Sequence, residues 1–468
     1  MPKRIFFFLF FILFGCTVGP NYRRPTVETP PSWRFEEKEA RSAVNIAWWE
    51  QFGDPVLNGL IQDALRENKE VRIAAARVEE FMGRYGATRA ALFPQLTAGA
   101  SAGRSRVSDR TAAPTTGMQN PADNYLAFLN ANWEIDLWGK LRRATEAGRA
   151  NVLATQEARR AVVLTLVASV ANAYVNLREL ETEVEIARRT MKSREESYRL
   201  FQLRFDGGVI SEVELYQVKS EYEQALATVP LLEKLIAQQE NALNVLLGRN
   251  PGPIPAGRAM NELLLPGVPA GLPSDLLANR PDIRRAEQDL IAANARIGVA
   301  RAYYFPSISL TALFGYVSTD LSNLFSGPAR TWSWAAPLTA PIFTAGAIRG
   351  QVEAAEAVNR EFLIQYEQSI QAAFREVEDA LIDQRRSRER LEVQTRQIDT
   401  LRNYARMARL RFETGHTSYL EVLDAERSLF NAELAQAQTK GALFQALVNL
   451  YKAMGGGWVV DAEQKTGG

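Results

Sequence analysis

The residue types that most often do chemistry in proteins are scarce in this chain, which has one cysteine, Cys16, and one histidine, His416, in 468 residues. A single cysteine excludes disulfides within the chain and CxxC metal sites, and a single histidine removes most His-dependent catalysis and most zinc chemistry. The sequence also has no GxxxxGKS/T phosphate-binding loop. We therefore expect no catalytic residue, no cofactor and no metal site, and we interpret His416 as an exposed turn residue.

The overall charge is nearly balanced, with 55 lysines and arginines against 54 aspartates and glutamates. A nucleic-acid-binding protein would normally show a basic excess, so no nucleic-acid partner is expected. Hydrophobic residues make up 46% of the chain, which is enough for a large core. The composition as a whole does not favour an enzyme.

The N-terminal sequence, MPKRIFFFLFFILFGC, has the features of a signal peptide over residues 1–15, because two basic residues precede ten apolar ones. That apolar run is shorter than the roughly 20 residues that span a bilayer. Its end, Leu-Phe-Gly-Cys, resembles a bacterial lipoprotein cleavage box, which implies lipidation of Cys16. By the same resemblance, Thr17 in place of an aspartate favours the outer membrane. The alternative is an ordinary signal peptide that contains a cysteine by coincidence.

Two sequence matches show that the chain is internally duplicated. RFDGGVISEVELY (204–216) matches RFETGHTSYLEVL (411–423) at an offset of 207 residues, and RYGATRAALFPQLT (84–97) matches RIGVARAYYFPSIS (296–309) at an offset of 212. Because the two matches occur in the same order at nearly the same offset, the whole unit was duplicated.

The duplication divides the chain into six segments. After the signal peptide we expect a lipidated extended segment at 16–60, a first repeat at 61–248, a Pro/Gly-rich linker at 249–279, a second repeat at 280–455 and a tail at 456–468.

Each repeat should contain a helix, two strands and a long helical hairpin. The long helices are predicted at 140–204 and 346–411, each about 100 Å at 1.5 Å per residue. Four strands with alternating apolar and polar residues are predicted near 94–106, 124–138, 305–318 and 330–343, a pattern that suits transmembrane β-strands. Pro230 should kink or split the second helix of the first hairpin, and Pro337 is awkward in the last strand. The alternative is an amphipathic sheet in a soluble α+β protein.

Four strands cannot form a membrane barrel alone, because unpaired backbone groups at a sheet edge cost several kcal/mol each in lipid. Single-chain barrels begin at eight strands, so the chain must oligomerise. Two copies would give a plugged eight-stranded barrel, and three would give twelve strands around an open lumen. The long helices that continue from these strands should form a coaxial tube beneath the barrel, so the oligomer is expected to be a channel.

The repeated break in the helices predicts two tight helical turns. Gly208 and Gly415 permit the positive φ that such a turn requires. Ser211 and Ser418 can cap the following helices, with Glu214 and Glu421 at the capping-box spacing.

After the second turn, one helix face carries an apolar residue followed by charged and amide groups, which points to a water-filled space rather than a core. These residues are Leu420, Asp424, Arg427, Asn431 and Gln438. Arg427 lies three residues after Asp424 and can pair with it. The first repeat has Val213, Gln217 and Ser220 at the corresponding positions. The alternative is a solvated surface pair.

Two long stretches carry a family resemblance. The chain resembles the outer membrane factors of the TolC superfamily, and most of all the OprM-like efflux lipoproteins of RND-type pumps. The resemblance lies in GLPSDLLANRPDIRRAEQDLIAANARIGVARAYYFPSISL (271–310) and YLEVLDAERSLFNAELAQAQTKGALFQALVNLYKAMGGGW (419–458), and it is strengthened by WWEQFGDPVLNGLIQDAL (48–65).

The fold class that the resemblance implies is mixed: each chain supplies one third of a trimeric 12-stranded β-barrel, and its long helices form a periplasmic α-helical barrel. The resemblance further implies a homotrimeric exit duct in the outer membrane of a Gram-negative bacterium, lipid-anchored by its N-terminus and extending through the periplasm. Its implied partners are outer-membrane lipid, a periplasmic adaptor protein and an inner-membrane RND transporter. The residues matching Leu420, Asp424 and Arg427 would line the gate. The adaptor-contacting turns would comprise Arg204, Phe205, Gly208, Ser211 and Glu214 with Arg411, Phe412, Gly415, Ser418 and Glu421. Small molecules are the expected substrates. A periplasmic scaffold lipoprotein without a pore, a metal-ion-efflux channel and a type I secretion channel remain alternatives.

Overall fold

The computed structural model describes residues 17–35, 47–108, 110, 120–266, 273 and 276–455. The two repeats have the same order of elements. The helices are α1 (Pro55–Glu67), α2 (Lys69–Ala90), α3 (Lys140–Asp206), α4 (Glu212–Leu246), α5 (Leu276–Asn279), α6 (Pro281–Ala302), α7 (Ala347–Glu413) and α8 (Tyr419–Ala453). The strands are β1 (Gln95–Ser105), β2 (Ala122–Ile135), β3 (Ser307–Ser318), β4 (Arg330–Ala335) and β5 (Leu338–Thr339). The signal peptide, Cys16 and the tail 456–468 lie outside the described residues.

The chain forms two compact units, each assembled from both repeats. The first unit contains Arg77–Gln156, Arg285–Tyr366 and the N-terminal residues up to Thr26, and it holds every strand in the described ranges. The second unit contains Val27–Ala76, Glu157–Arg284 and the residues from Glu367 onwards.

The first unit is built on one antiparallel sheet with the order β1-β2-β3-β4, to which β5 adds a short pairing with β3. Its two faces differ in chemistry, since Trp133 lies opposite Leu310 while the adjacent pair on the other face is Asn132 and Thr311. Within the described part of the chain, β1 pairs only with β2 and β4 only with β3. The sheet therefore has two open edges, as the sequence predicts for one third of a closed barrel.

The fourth strand is shorter than the predicted 330–343. β4 ends at Ala335, and only Leu338–Thr339 resumes pairing, as β5. Pro337 lies in the gap, where its carbonyl still accepts a hydrogen bond from the Ser309 N–H at 3.2 Å. Because proline has no N–H to donate, the strand pairing is interrupted at this residue.

The N-terminal segment of the described chain is fastened to the start of α3. The Val18 N–H donates to the Trp138 carbonyl at 3.0 Å, and Arg143 donates to the Asn21 side chain at 2.6 Å. Gly19 and Gly298 are packed so closely that a Cβ on Gly19 would lie 2.5 Å from the Gly298 Cα. The chain that leads away from Cys16 is therefore fixed beside the residues that join β2 to α3.

The second unit is helical, and its hairpins have equal dimensions in the two repeats. The long helices α3 and α7 both have 67 residues, and the returning helices α4 and α8 both have 35. Of the two outcomes predicted for Pro230, a split of α4 is wrong, because α4 continues through it, and a kink stays a prediction. Leu232, two residues after Pro230, belongs to a buried cluster that includes Phe430, and Val229, just before Pro230, packs against that cluster. This tertiary packing holds the helix together where one backbone donor is missing.

Candidate gate and contact surface at the helix turns

The two turns that join the long helices to their returning partners have the same backbone geometry. Gly208 has φ of 71° and Gly415 has φ of 75°. The N–H of the residue after each glycine donates to the carbonyl of Arg204 in the first turn and of Arg411 in the second. The N–H of each glycine donates to the carbonyl one residue later, that of Phe205 or Phe412. This pair of hydrogen bonds is the Schellman motif, which requires a left-handed residue just after the helix end, the position that each glycine occupies. The positive φ predicted for both glycines is confirmed.

The helices that follow the turns are capped differently. Ser211 and Glu214 form the full capping box, with the Ser211 N–H donating to the Glu214 carboxylate at 2.8 Å. Ser418 makes no side-chain capping bond, so the second predicted capping box is wrong. Glu421 instead accepts hydrogen bonds from Arg411, at 3.0 Å, and from the Thr417 hydroxyl.

The difference between the caps has a local cause. The first repeat has Ile210 at the position of Thr417, so no hydroxyl competes for Glu214. The Arg204 guanidinium lies over the rings of Phe201 and Phe412, at 5.7 and 5.5 Å, rather than next to a carboxylate. Each capping glutamate therefore binds the donors that its own turn supplies.

The two hairpins pack against each other through an aromatic cluster. Phe201 lies 4.2 Å from Tyr419 between ring centroids, and Tyr419 lies 4.9 Å from Phe412. Phe205 and Phe412 pack on this cluster while remaining partly exposed. These two phenylalanines, predicted as adaptor contacts, therefore also fix the two turns relative to each other.

The three predicted gate residues line one groove of about 920 Å³. The positions that correspond to them in the first repeat line the same groove, which is thus built from matching parts of both hairpins. Its lining includes Leu420, Asp424 and Arg427 from α8, Val213, Gln217 and Ser220 from the α4 hairpin, and the tyrosines Tyr216 and Tyr404.

The charges in this groove form a chain of ion pairs. Asp424 accepts from Arg427 at 2.9 Å, and both side chains are 52% exposed. Arg427 also lies 4.0 Å from Glu221, which pairs with buried Arg194 at 3.0 Å. Burial lowers the pKa of Arg194, which Glu221 opposes. The expected pairing of Asp424 with Arg427 is confirmed within a single chain, and its exposure leaves it open to other copies.

Sequence reasoning missed three exposed apolar residues at the turns. Leu203 and Leu410 occupy corresponding positions in the two repeats and are 70% and 52% exposed, and Val209 at the first turn is 74% exposed. The offset of 207 residues could have identified the two leucines, since both repeats keep an apolar residue at that position. Tyr216 and Tyr404, which line the groove, follow no comparable pattern.

Comparison with known proteins decides the family. The family model described as outer membrane efflux protein matches residues 60–249 and 272–456. The chain is 38% identical over 461 residues to the probable efflux pump outer membrane protein TtgC of Pseudomonas putida, covering 96% of this chain and 94% of that protein. It is 36% identical to the cation efflux system protein CusC of Escherichia coli, covering 95% and 96%. The chain belongs to the outer membrane efflux protein family.

The structure of this efflux protein agrees with that assignment. The crystal structure of the CmeC outer membrane channel of Campylobacter jejuni matches with a TM-score of 0.91 at 26% identity, covering 96% of this chain and 98% of that one. The expected family and fold class are confirmed, and the protein is an outer-membrane component of an efflux pump.

Proposed function

We propose that this efflux protein is a homotrimeric exit duct that passively conducts small molecules out of the cell and is gated at its helical turns. The observation that carries the proposal is the sheet of the first unit, which has one apolar face and two open edges within the described chain. Lipid does not tolerate such edges. Three copies close twelve strands, counting β4 and β5 as one interrupted strand, and leave a lumen.

The groove that contains Asp424 and Arg427 supplies the gate. In a trimer, threefold symmetry brings three copies of Leu420 and Asp424 towards one axis, where each Asp424 already has Arg427 as a cationic neighbour. The side chains of Asp424 and Arg427 are each 52% exposed, which leaves them accessible to contacts between copies. Opening then separates the α8 helices and moves these groups away from the axis.

The turns supply the contact with a periplasmic adaptor. Each chain presents two turns of the same backbone geometry, so a trimer presents six, a number that suits a ring of adaptor hairpins. Around the glycines, both turns expose apolar side chains, among them Leu203 and Leu410. Binding energy at this ring drives the gate open, and an inner-membrane RND transporter completes the pump.

Lipidation of Cys16 anchors the chain in the outer membrane. Cys16 lies outside the described residues, but Thr17 packs against Gly139, where a Cβ would lie 2.7 Å from the threonine methyl carbon. This contact is at the end of the sheet, close to Trp138. The described chain that follows Cys16 is therefore held next to the residues that join β2 to α3. Incorporation of labelled palmitate, and its loss in Cys16→Ser, tests the anchor.

Small organic compounds are the proposed substrates. The relatives include the probable efflux pump protein TtgC and the toluene efflux protein TtgI of P. putida, as well as the cation efflux protein CusC. The present chain has one histidine and seven methionines and no tract rich in either. Imidazole and thioether ligands are those that soft and borderline metal ions prefer, so organic cargo is favoured.

Planar-bilayer recording on the purified, detergent-extracted protein tests the duct. We expect cross-linked trimers on gels and discrete ion conductance. A stable monomer without conductance would contradict the proposal and favour the periplasmic scaffold. The adaptor role is tested by cross-linking from a cysteine at Val209 in cells, with an equivalent cysteine at exposed Arg349, in the first unit, as the control.

A further inference from the structure

The apolar face of the sheet carries different side chains at its two ends. Each of its four main strands is joined to a helix at one end and to a loop at the other. At the helix end, every strand contributes a large apolar side chain to this face: Leu96, Trp133, Leu310 and Trp334. At the loop end, every strand instead contributes an arginine or a tyrosine: Arg104, Tyr125, Tyr316 and Arg330. We call these last four residues the donor belt.

The register of the strands places the whole donor belt on one face. Arg330 lies directly opposite Tyr316 on the neighbouring strand. Tyr125 is two residues from the β2 position that pairs with Tyr316. Arg104 lies opposite Asp123, which is two residues from Tyr125. Because residues two apart on a strand share a face, the four side chains belong to the same face of the sheet.

The Arg330 side chain is available to a ligand. It is exposed, and within the described part of the chain it makes no ion pair or hydrogen bond. The Tyr316 hydroxyl, on the residue opposite, likewise has no hydrogen-bond partner among the described residues. A guanidinium group has five donors and binds phosphate oxygens in pairs. Arg330 and Tyr316 therefore offer donors at adjacent positions to an anionic ligand.

Arg104 is only weakly paired within the chain. Its Nε lies 3.6 Å from the Asp123 Oδ1, and its side chain is 69% exposed. Charge-assisted hydrogen bonds between such groups are normally about 2.7–2.9 Å long, so this contact is loose. Within the strands, Asp123 is the one acidic residue on the apolar face. It lies next to Arg104 and leaves Arg330 without a carboxylate.

Exposed aromatic side chains surround the arginine of β4. Trp332, two residues from Arg330 on the same face, is 67% exposed, and Phe314 opposite it is 47% exposed. Phe325, in the loop between β3 and β4, packs edge-on against Tyr316 with 5.5 Å between ring centroids and is 73% exposed. Aromatic side chains at the border of an apolar surface are typical of a membrane–water interface. This surroundings fits a ligand that has both a phosphate group and hydrocarbon chains.

The position of the donor belt along the strands agrees with such an interface. On β3, Tyr316 is eight residues from Ile308, which is about 26 Å at 3.3 Å per residue. At the usual tilt of barrel strands this distance is roughly 20 Å along the membrane normal, compared with an apolar band about 25 Å tall. The belt therefore lies near one border of the band, where the long side chain of arginine reaches the headgroups.

We propose that the donor belt binds the phosphate groups of lipopolysaccharide in the outer leaflet of the outer membrane. The inference rests on the proposed function, since this face meets lipid only when several chains close a barrel and the helices extend into the periplasm. That orientation places the loop end at the cell surface, where the lipid A headgroup carries phosphates. The helix end of the face then meets the phospholipid leaflet. Two arginines in each chain give six around a trimer.

The test is native mass spectrometry of the full-length, detergent-extracted protein after incubation with lipid A that carries two phosphates. The same lipid without its phosphates is the reference. We expect tighter binding of the phosphorylated lipid and a loss of about tenfold in Arg330→Gln, which removes charge-assisted hydrogen bonds. Arg330→Lys keeps the charge without the paired donors and should recover part of the binding. Tyr316→Phe removes one neutral donor and should have the smaller effect.

The matched control is Arg149→Gln on α3. Arg149 is exposed and belongs to the same compact unit as the sheet, so the variant removes the same charge away from the donor belt. We expect it to bind lipid A as the wild type does. Because the Arg330 side chain has no partner within the described residues, its variants break no contact on which folding depends.

Four results would overturn the proposal. They are equal binding of lipid A with and without phosphates, equal losses in the Arg330 and Arg149 variants, equally tight binding of phosphatidylglycerol, and displacement of lipid A by an equal concentration of inorganic phosphate. The third result would make the belt a general site for anionic lipids, and the fourth would make it a small-anion site. The same spectra count the chains in each complex, and conductance is recorded separately, so failure of the duct is distinguishable from failure of the belt.

Discussion

Replacing Asp424 with asparagine tests the gate most directly. The change removes the carboxylate that Arg427 contacts at 2.9 Å and keeps the size of the side chain. Both partners are 52% exposed, and exposed ion pairs of this kind contribute about 0.2–1 kcal/mol. In the proposed trimer, opening breaks only the contacts that each Asp424 makes with neighbouring copies, and three exposed contacts of this strength, added as independent contributions, give about 0.6–3 kcal/mol in favour of the closed state. At 1.36 kcal/mol per factor of ten, the ratio of open to closed channels should rise roughly 3- to 160-fold.

Open probability in single-channel recordings measures this ratio, and antibiotic leakage into cells without an adaptor provides a second readout. Glu389→Gln is the matched control, because Glu389 is 48% exposed and pairs with arginines on α7 that do not line the gate groove. An open probability unchanged by Asp424→Asn, or raised equally by Glu389→Gln, would show that Asp424 does not hold the gate closed.

Three further changes test other parts of the structure. Gly208→Ala should destabilise the first hairpin by about 1–2 kcal/mol, because φ of 71° is unfavourable for a residue with a Cβ, whereas neighbouring Gly207→Ala should be neutral; thermal unfolding followed by circular dichroism compares them. Burial, and secondarily the charge of Glu183, raises the pKa of Glu179 to about 7. Since this value lies above that of the unfolded chain, Glu179 is a source of stability below about pH 4.5 that is lost as pH rises towards 7, so Glu179→Gln should raise the melting temperature at pH 8 and change it little at pH 4. Tyr174→Phe removes a buried 2.5 Å hydrogen bond to Asp54 and should cost about 1–2 kcal/mol, measured in urea; a loss below about 0.3 kcal/mol would show that Asp54 is satisfied by its backbone donors alone.

Much of the architecture follows from local sequence patterns. The duplication, the long proline-poor helices and the alternating strands are each visible over short stretches of sequence. The two helical turns are equally local, since a glycine at the helix end with hydrogen bonds to the preceding turn specifies the Schellman motif. The edge argument is also independent of tertiary detail, because four strands are too few to close in lipid.

The errors occurred where a local rule was overridden by neighbours. Ser418 and Glu421 have the capping-box spacing, but Arg411 and Thr417 compete for the same carboxylate. Pro230 lacks a backbone donor, yet the packing of the residues on either side keeps α4 intact.

The sequence by itself determined the repeat, the type of the elements, the length of the long helices and the two turns, because these depend on periodicity and on the backbone of a few consecutive residues. Only the tertiary structure decided which side chains meet. It placed Asp424 beside Gln217 in one groove, and Arg189 beside Arg402 in another. These residues are far apart in the chain, and their proximity depends on how four helices pack, which no local pattern encodes.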